Sequence, residues 1–427
     1  MHVLILGGSG FIGSALARLL AGRGHQVTAL ARATQAAARR HPGISWNSAD
    51  IGRLDMPEAW RDLIAGVDIV VNAAGALQTG PRDDVVAVQS TAMKALYAAA
   101  AQSRLRLIVQ ISARTDGGAA RTEFMATKRE ADEAVRSSGV PFVILRPAVV
   151  VGRNSFGGSA LLRGLAGIPL ATPLAYPDMP MQFTALDDLA ETVASAVDGG
   201  IAPGSELDLA ADETMTLAQA VAVHRQWLGL PAARTVRIPD WLARLVAAAA
   251  DLAGRFGWRS PLRSTAMQIA AHGLSGHAMR SVRGLKTLSE TLNASPAGSQ
   301  DVWHARLYLL KPLLIGTLSV FWMLSGLIAL TRFEASSALL VAAGATPPAA
   351  AALTTGTAAA DILLGAAVLF RSYCRPALLG MIGLSLAYLA AATLLSPDLW
   401  ADPLGPLVKV LPSIALALAA LAILEER

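Results

Sequence analysis

The sequence predicts an α/β protein with a doubly wound parallel sheet, followed by an all-α transmembrane domain of four helices. Three observations carry this expectation. A glycine turn, Gly7-Gly8-Ser9-Gly10-Phe11-Ile12-Gly13, stands between a short apolar run and a helical stretch. Short apolar runs then alternate with helical stretches, the pattern of parallel strands joined by right-handed crossovers. Long uncharged runs begin only after Lys311.

Composition agrees with two unlike parts. Of 427 residues, 53% are hydrophobic and only 16% charged, and the mean hydropathy is +0.46. The net charge of +5 comes from scattered basic residues. Arginine beside membrane spans accounts for it through the positive-inside bias, so no nucleic acid is expected as a partner. The single cysteine, Cys374, excludes an internal disulfide. The seven histidines form no ligand-like cluster with acids, and the pair His272 and His277 reads as loop, so no metal is expected. The opening MHVLILGGSG has no basic leader and runs straight into the glycine turn, so it reads as a strand.

Each element follows in order. Val3 to Leu6 is the first strand and Ser14 to Arg23 the first helix. Gly7 permits the tight turn, Gly10 lets a pyrophosphate approach N–H groups at the helix start, and Gly13 lets helix and strand pack closely. Gln26 to Leu30 is the second strand. It is followed by Ala31-Arg32 rather than an acidic residue, which favours NADP(H) over NAD(H) because arginine can pair with a 2′-phosphate. The third strand ends in Asn47-Ser48-Ala49-Asp50-Ile51, with Asp50 placed to meet the adenine amino group. The fourth, Asp68 to Val71, enters Asn72-Ala73-Ala74-Gly75. The fifth, Arg106 to Ile111, ends in Ser112, and the sixth, Phe142 to Leu145, ends in Arg146-Pro147.

These motifs resemble the extended and atypical short-chain dehydrogenase/reductase superfamily, over residues 1–230. Thr184-Ala185-Leu186-Asp187-Asp188-Leu189-Ala190 is similar to a late segment of that family. The resemblance implies a cofactor-binding set of Gly7, Gly10, Phe11, Ile12, Gly13, Arg32, Asp50, Ile51, Asn72, Ala73, Ala74, Gly75 and Lys128. It also implies chemistry by a Tyr-x-x-x-Lys helix and an upstream serine. Ser112 and Lys128 match as catalytic positions, but the tyrosine position holds Phe124. Helical spacing puts Phe124 and Lys128 on one face. A phenyl ring cannot supply general acid catalysis, worth about 10²–10⁴-fold in rate. Two readings stay open. The site binds cofactor without standard turnover, as in the atypical branch that includes an accessory subunit of respiratory complex I. Alternatively another group, Thr122, Thr127 or Tyr176, supplies the proton.

Residues 151–230 are expected to form a small substrate lobe, with Gly157-Gly158, Pro169, Pro173, Pro177 and Pro180 marking loops over the cleft. Its apolar character suits a lipid or quinone and equally an ordinary core. Residues 231–305 read as an amphipathic helix, with Trp241, Leu242, Leu245, Val246 and Leu252 at helical spacing, and a polar linker with short helical pieces. That helix suits a membrane surface or the flank of the front domain. Residues 306–427 form the membrane block. Its spans are Pro312 to Thr331, Ala349 to Phe370, Pro376 to Leu395 and Leu407 to Leu424. Arg371 and Arg375 between the second and third spans, against Asp398 and Asp402 after the third, predict both termini in the cytoplasm.

The Ala-Asp-Ile-Leu-Leu-Gly and Gly-Pro-Leu-Val-Lys pieces of this block resemble the DoxX-like membrane family, some of whose members are tied to quinone or redox chemistry. Asp361 in the second span is a functional candidate, as an acid in mid-membrane is by default, and is expected either to be neutral or to pair with Lys409 of the fourth span. The expected function is a membrane-anchored NADP(H)-binding protein that serves as redox sensor, scaffold or assembly factor for a membrane redox system. The alternatives are an NADPH-dependent oxidoreductase acting on a quinone or other apolar acceptor, and a lipid- or sugar-modifying epimerase. The lipid bilayer of the cytoplasmic membrane is the expected surrounding.

Overall fold

The computed structural model describes residues 1–76, 78–81, 83–114, 122–271, 282 and 284–424. His272 and His277 lie outside the described residues. The chain divides into two units, Met1–Asp251 with Ser260–Ala305, and Leu252–Arg259 with Arg306–Arg427.

In the first unit the strands are β1 (His2–Leu6), β2 (Gln26–Ala31), β3 (Ser45–Ser48), β4 (Ile69–Asn72), β5 (Leu107–Ile111), β6 (Phe142–Pro147), β7 (Val149–Val151), β8 (Ala171–Leu174), β9 (Pro180–Met181), β10 (Phe183–Ala185), β11 (Ser205–Leu209), β12 (Met215–Thr216) and β13 (Arg234–Arg237). The helices are α1 (Phe11–Gly22), α2 (Gln35–Arg40), α3 (Pro57–Ile64), α4 (Ala92–Ala101), α5 (Glu123–Ser137), α6 (Gly158–Ala166), α7 (Leu186–Val197), α8 (Leu217–Trp227), α9 (Asp240–Arg255), α10 (Ser264–Ala271) and α11 (Leu288–Asn293). Helix α12 (Ser299–Thr331) starts in this unit and runs into the next.

Seven strands form one parallel sheet in the order β11-β6-β5-β4-β1-β2-β3. Both faces are covered, which is why β1 is apolar throughout. Val3 and Ile5 pack with Leu16 and Leu20 of α1 and Val193 of α7. Leu4 and Leu6 pack with Trp60 of α3, Leu96 of α4 and Val135 of α5. The strand order reverses between β1 and β4, so their carboxyl ends open the crevice where this architecture takes ligands.

The smaller lobe has its own core, built from Leu162, Leu174, Phe183, Val221 and Leu228. Pro173 and Pro180, expected in loops, lie in β8 and β9. The stretch after residue 284, expected as a linker with short helical pieces, does hold the short helix α11 and is folded into this lobe. Thr287 and Glu290 form a capping box at α11, and Leu288, Leu292 and Ala305 are buried in the lobe core. Two arginines serve carbonyls that the loops leave without partners. Arg225 Nη1 donates to Ala166 O (2.8 Å) and Ile168 O (2.7 Å). Arg163 donates to Gly152 O and Arg153 O and pairs with Asp301 in the first turn of α12.

In the second unit α12 is followed by α13 (Phe333–Ala342), α14 (Pro347–Ala367), α15 (Cys374–Leu395) and α16 (Val410–Ala422). Three of these, α12, α14 and α15, are long and apolar enough to cross a membrane. The expected fourth span falls on a shorter apolar helix, α16. Helix α16 has 13 residues, about 20 Å of helix against a hydrocarbon core of about 30 Å. The pieces before it, through Gly405 and Lys409, are turns. Small residues let α12 and α14 touch: a Cβ on Gly365 would meet Met323 N and Ser319 O at 2.9 Å, and Ser319 Oγ donates to Gly365 O at 2.7 Å. Lys311, at the start of the apolar part of α12, and Arg371 both donate to Leu424 O.

Candidate functional site

The crevice is built from backbone before side chains. Gly7 has φ +71°, and a Cβ there would approach Ala74 Cα to 2.9 Å, so the β1 and β4 turns touch through it. Gly13 has no room for a side chain because Gly7 O occupies that space. Gly10 N–H is taken by Gly7 O, while Ser14 N–H is the first in α1 to reach back to Gly10 O. Phe11, Ile12 and Gly13 therefore begin the helix with N–H groups directed out of its open end, an anion cradle. Residues of this kind fit a pyrophosphate.

The Asn72 side chain, expected at the cofactor, is buried beneath the turn. Its Oδ1 accepts from Ala74 N at 3.0 Å and its Nδ2 donates to Gln110 Oε1 at 2.8 Å. Tyr97 OH donates to the same Gln110 oxygen at 2.7 Å. Burial pushes the Tyr97 hydroxyl well above its ordinary range, so it stays a neutral donor. Asn72 thus shapes Ala73-Ala74-Gly75 from below. At the end of β3, Asp50 accepts from Gly52 N at 3.3 Å and Ile51 is buried beside it. At the end of β2, Arg32 Nη2 donates to Asp83 Oδ1 at 2.7 Å.

Lys128 lies in α5. Its Nζ donates to Ile111 O at 3.0 Å, and it is 6% exposed. A Cβ at Gly75 would meet this Nζ at 3.7 Å and Gln89 Oε1 at 3.4 Å. Burial lowers the Lys128 amine to about 8, with Asp132 opposing the shift. Phe124 lies one helical turn earlier, against Met125 and Ala113. Ser112 Oγ donates to Asp132 Oδ2 at 2.7 Å. Burial raises the Asp132 carboxyl, and Ser112, Arg146 and Lys128 pull it back in that order.

Asp132 and Gln89 were missed by sequence reasoning. The signal for Asp132 was present, since Phe124, Lys128 and Asp132 repeat at i, i+4. Gln89 gave none, because it lies in the π-helical turn Ala87–Thr91 before α4, where the helical period slips. Two of the alternative proton donors, Thr127 and Thr122, are engaged within α5. Thr127 Oγ1 donates to Glu123 O and Phe124 O within its own helix. Thr122 caps α5. Tyr176 lies between β8 and β9 in the lobe.

In the second unit Asp361 meets Ser325 and Tyr388, so of the two alternatives the pair with Lys409 does not form. Its carboxylate accepts from Ser325 Oγ of α12 at 3.0 Å and Tyr388 OH of α15 at 2.8 Å. Lys409 is exposed at the start of α16, and no ion pair joins it to Asp361 among the described residues.

Residues 7–162 match the NAD(P)H-binding family model, and residues 319–418 match the DoxX-like family. Similar solved structures include UDP-glucuronic acid 4-epimerase from Bacillus cereus in complex with NAD. It is 17% identical with a TM-score of 0.51, covering 72% of this chain and 100% of that one. The Bordetella bronchiseptica enzyme WbmH in complex with NAD+ is 17% identical with a TM-score of 0.50, covering 72% of this chain and 98% of that one. At such identity the likeness is one of fold. No curated protein matches the chain. The chain therefore carries an NAD(P)-binding, Rossmann-type domain followed by a DoxX-like segment with helices long and apolar enough to cross a membrane.

Proposed function

We propose that this protein binds NADP(H) in a membrane-anchored domain without the usual tyrosine-dependent chemistry, and acts as a redox sensor, scaffold or assembly factor of a membrane redox system. One observation carries the reading: Phe124 stands where the resemblance calls for an acid, one helical turn before the buried Lys128. Ser112 supports it, because its hydroxyl proton is committed to Asp132 rather than left to orient a substrate oxygen.

A bound nicotinamide would supply hydride chemistry at this crevice. The N–H groups of Phe11, Ile12 and Gly13 would hold its pyrophosphate, Asp50 would meet adenine and Lys128 would hold the nicotinamide ribose. The oxygen of Gln89, buried without a donor, also faces this place. Arg32 supports NADP(H), with a 2′-phosphate drawing its guanidinium from Asp83. Arg32→Ala is expected to weaken NADPH binding about tenfold or more and leave NADH unchanged.

The orientation we propose has both ends of the membrane unit on the cytoplasmic side of the inner membrane. Lys311 and Arg371 reach the same carbonyl, Leu424 O, which supports a common side for the start of the first span, the α14–α15 turn and the chain end. A second reading, NADPH oxidation by a quinone or other apolar acceptor, is favoured by the depressed Lys128 amine, which can release a proton near neutral pH.

The test is full-length protein in detergent, titrated with NADPH by calorimetry and then followed at the nicotinamide absorbance while quinones are added. Binding without consumption is expected. Steady consumption would overturn the sensor reading in favour of the oxidoreductase. Phe124→Tyr tests the site itself, with carbonyl reduction expected to appear once the hydroxyl is restored.

A further inference from the structure

Helix α9 carries a feature that nucleotide binding does not use. It packs through its small residues, Ala243 and Ala247, which are buried. Trp241, Leu245 and Leu252 lie on the opposite side at i, i+4 and i+11, and are 67%, 60% and 52% exposed. Arg244 and Arg255 are exposed along one flank of this stripe. At 100° per residue the three apolar positions fall within one narrow sector and the two arginines within the adjoining one.

The division between the two units falls inside this helix, after Asp251. Within the second unit its end is fastened to the turn between the spans α14 and α15. Trp258 Nε1 donates to Leu369 O at 2.5 Å and Arg371 N donates to Phe256 O at 3.0 Å. Phe256 and Phe370 meet edge to face with centroids 4.8 Å apart. That turn joins two helices long and apolar enough to cross a membrane, so Trp258 sits at one end of that apolar pair. Leu252, the last residue of the stripe, precedes Trp258 by six residues.

We propose that α9 lies in the membrane interface, with Trp241, Leu245 and Leu252 inserted at the acyl boundary and Arg244 and Arg255 on anionic headgroups. The occupant of this face is lipid. An apolar stripe with an arginine flank and a tryptophan, attached to the rim of the chain's own spans, is the chemistry of an interfacial helix. The proposal stands apart from the nucleotide reading, since no residue of the crevice takes part.

The test uses the full chain in lipid nanodiscs, with Cys374→Ala removing the native thiol. An environment-sensitive fluorophore is placed at Leu245→Cys, with Trp241→Cys as a second reporter and exposed Asp62→Cys as control. Blue-shifted emission, quenched at least threefold by acyl-brominated lipid at 245 and 241 but not at 62, is the expected result. Arg244→Glu with Arg255→Glu is expected to reduce that quenching in bilayers containing anionic lipid. Water-like emission at both reporters would overturn the proposal. Blue-shifted emission without lipid quenching would also overturn it, because protein, such as a second copy of this chain, would then cover the stripe.

Discussion

Replacing Lys128 with methionine separates two roles that have opposite pH signatures. The amine is buried, holds Ile111 O, and is lowered by burial from 10.5 to about 8. Between about 8 and 10.5 the unfolded chain keeps a proton that the folded chain has released. Folding stability therefore rises with pH across that window, by a total of about 3 kcal/mol, and below pH 8 the full cost of burying the charged amine is present. Methionine carries no charge, so the variant loses this dependence. Cofactor binding runs the other way. A hydrogen bond from a charged donor contributes about 1.5–3 kcal/mol, so Lys128→Met is expected to weaken NADPH binding by about 10–150-fold at pH 7. Wild-type affinity should also decline as pH rises through about 8, while the variant's stays flat. Asp132 retains Ser112 and Arg146 in the variant, so the fold should persist. The assays are calorimetric NADPH titrations from pH 6.5 to 9.5, roughly spanning the amine's titration, with thermal melts alongside. A methionine variant that binds NADPH as tightly as wild type throughout would refute the placement of Lys128 at the cofactor.

Three further outcomes follow from the geometry. Gly13→Ala puts a methyl group against Gly7 O and Gly8 Cα; a cost of about 1–3 kcal/mol should appear as a lower Tm together with lost NADPH binding. His224 is fully buried and lowered to about 4 by desolvation. Below 6.5 the unfolded chain takes a proton that the folded chain refuses until about 4, so stability should fall by up to about 3 kcal/mol as pH drops through that interval. His224→Leu should remove this slope in acid-unfolding curves. Asp361→Leu leaves Ser325 and Tyr388 without their shared acceptor. A loss of about 1–2 kcal/mol in the detergent stability of the membrane unit is expected, at about 0.6 kcal/mol per interhelical hydrogen bond in lipid and a maximum near 1.7; an unchanged midpoint would show that the cluster does not hold the helices.

Much of the first unit was legible because its signals are local. Glycine spacing, strand apolarity and the four-residue step from Phe124 to Lys128 each depend on a few neighbouring residues, and β1, β2, β4, β5 and β6 lie where the apolar runs stand. The stretch around Leu288 and Leu292 was read as linker because its polar exterior outweighs two leucines in composition. Only the lobe core that receives them reveals their role. The fourth apolar run is helical only from Val410 to Ala422, because hydropathy registers apolar residues without asking where the backbone turns.

The sequence by itself determined the strand–turn–helix cradle, the absence of a phenol at position 124 and the presence of bilayer-length apolar helices, all consequences of residue type at short range. Which polar groups meet was decided by tertiary structure alone. Ser112 turns to Asp132, Arg32 to Asp83, and Asp361 to Ser325 and Tyr388 rather than Lys409. A buried polar atom takes whatever partner the packing of distant segments brings within about 3 Å, and that choice has no period that a linear chain can display.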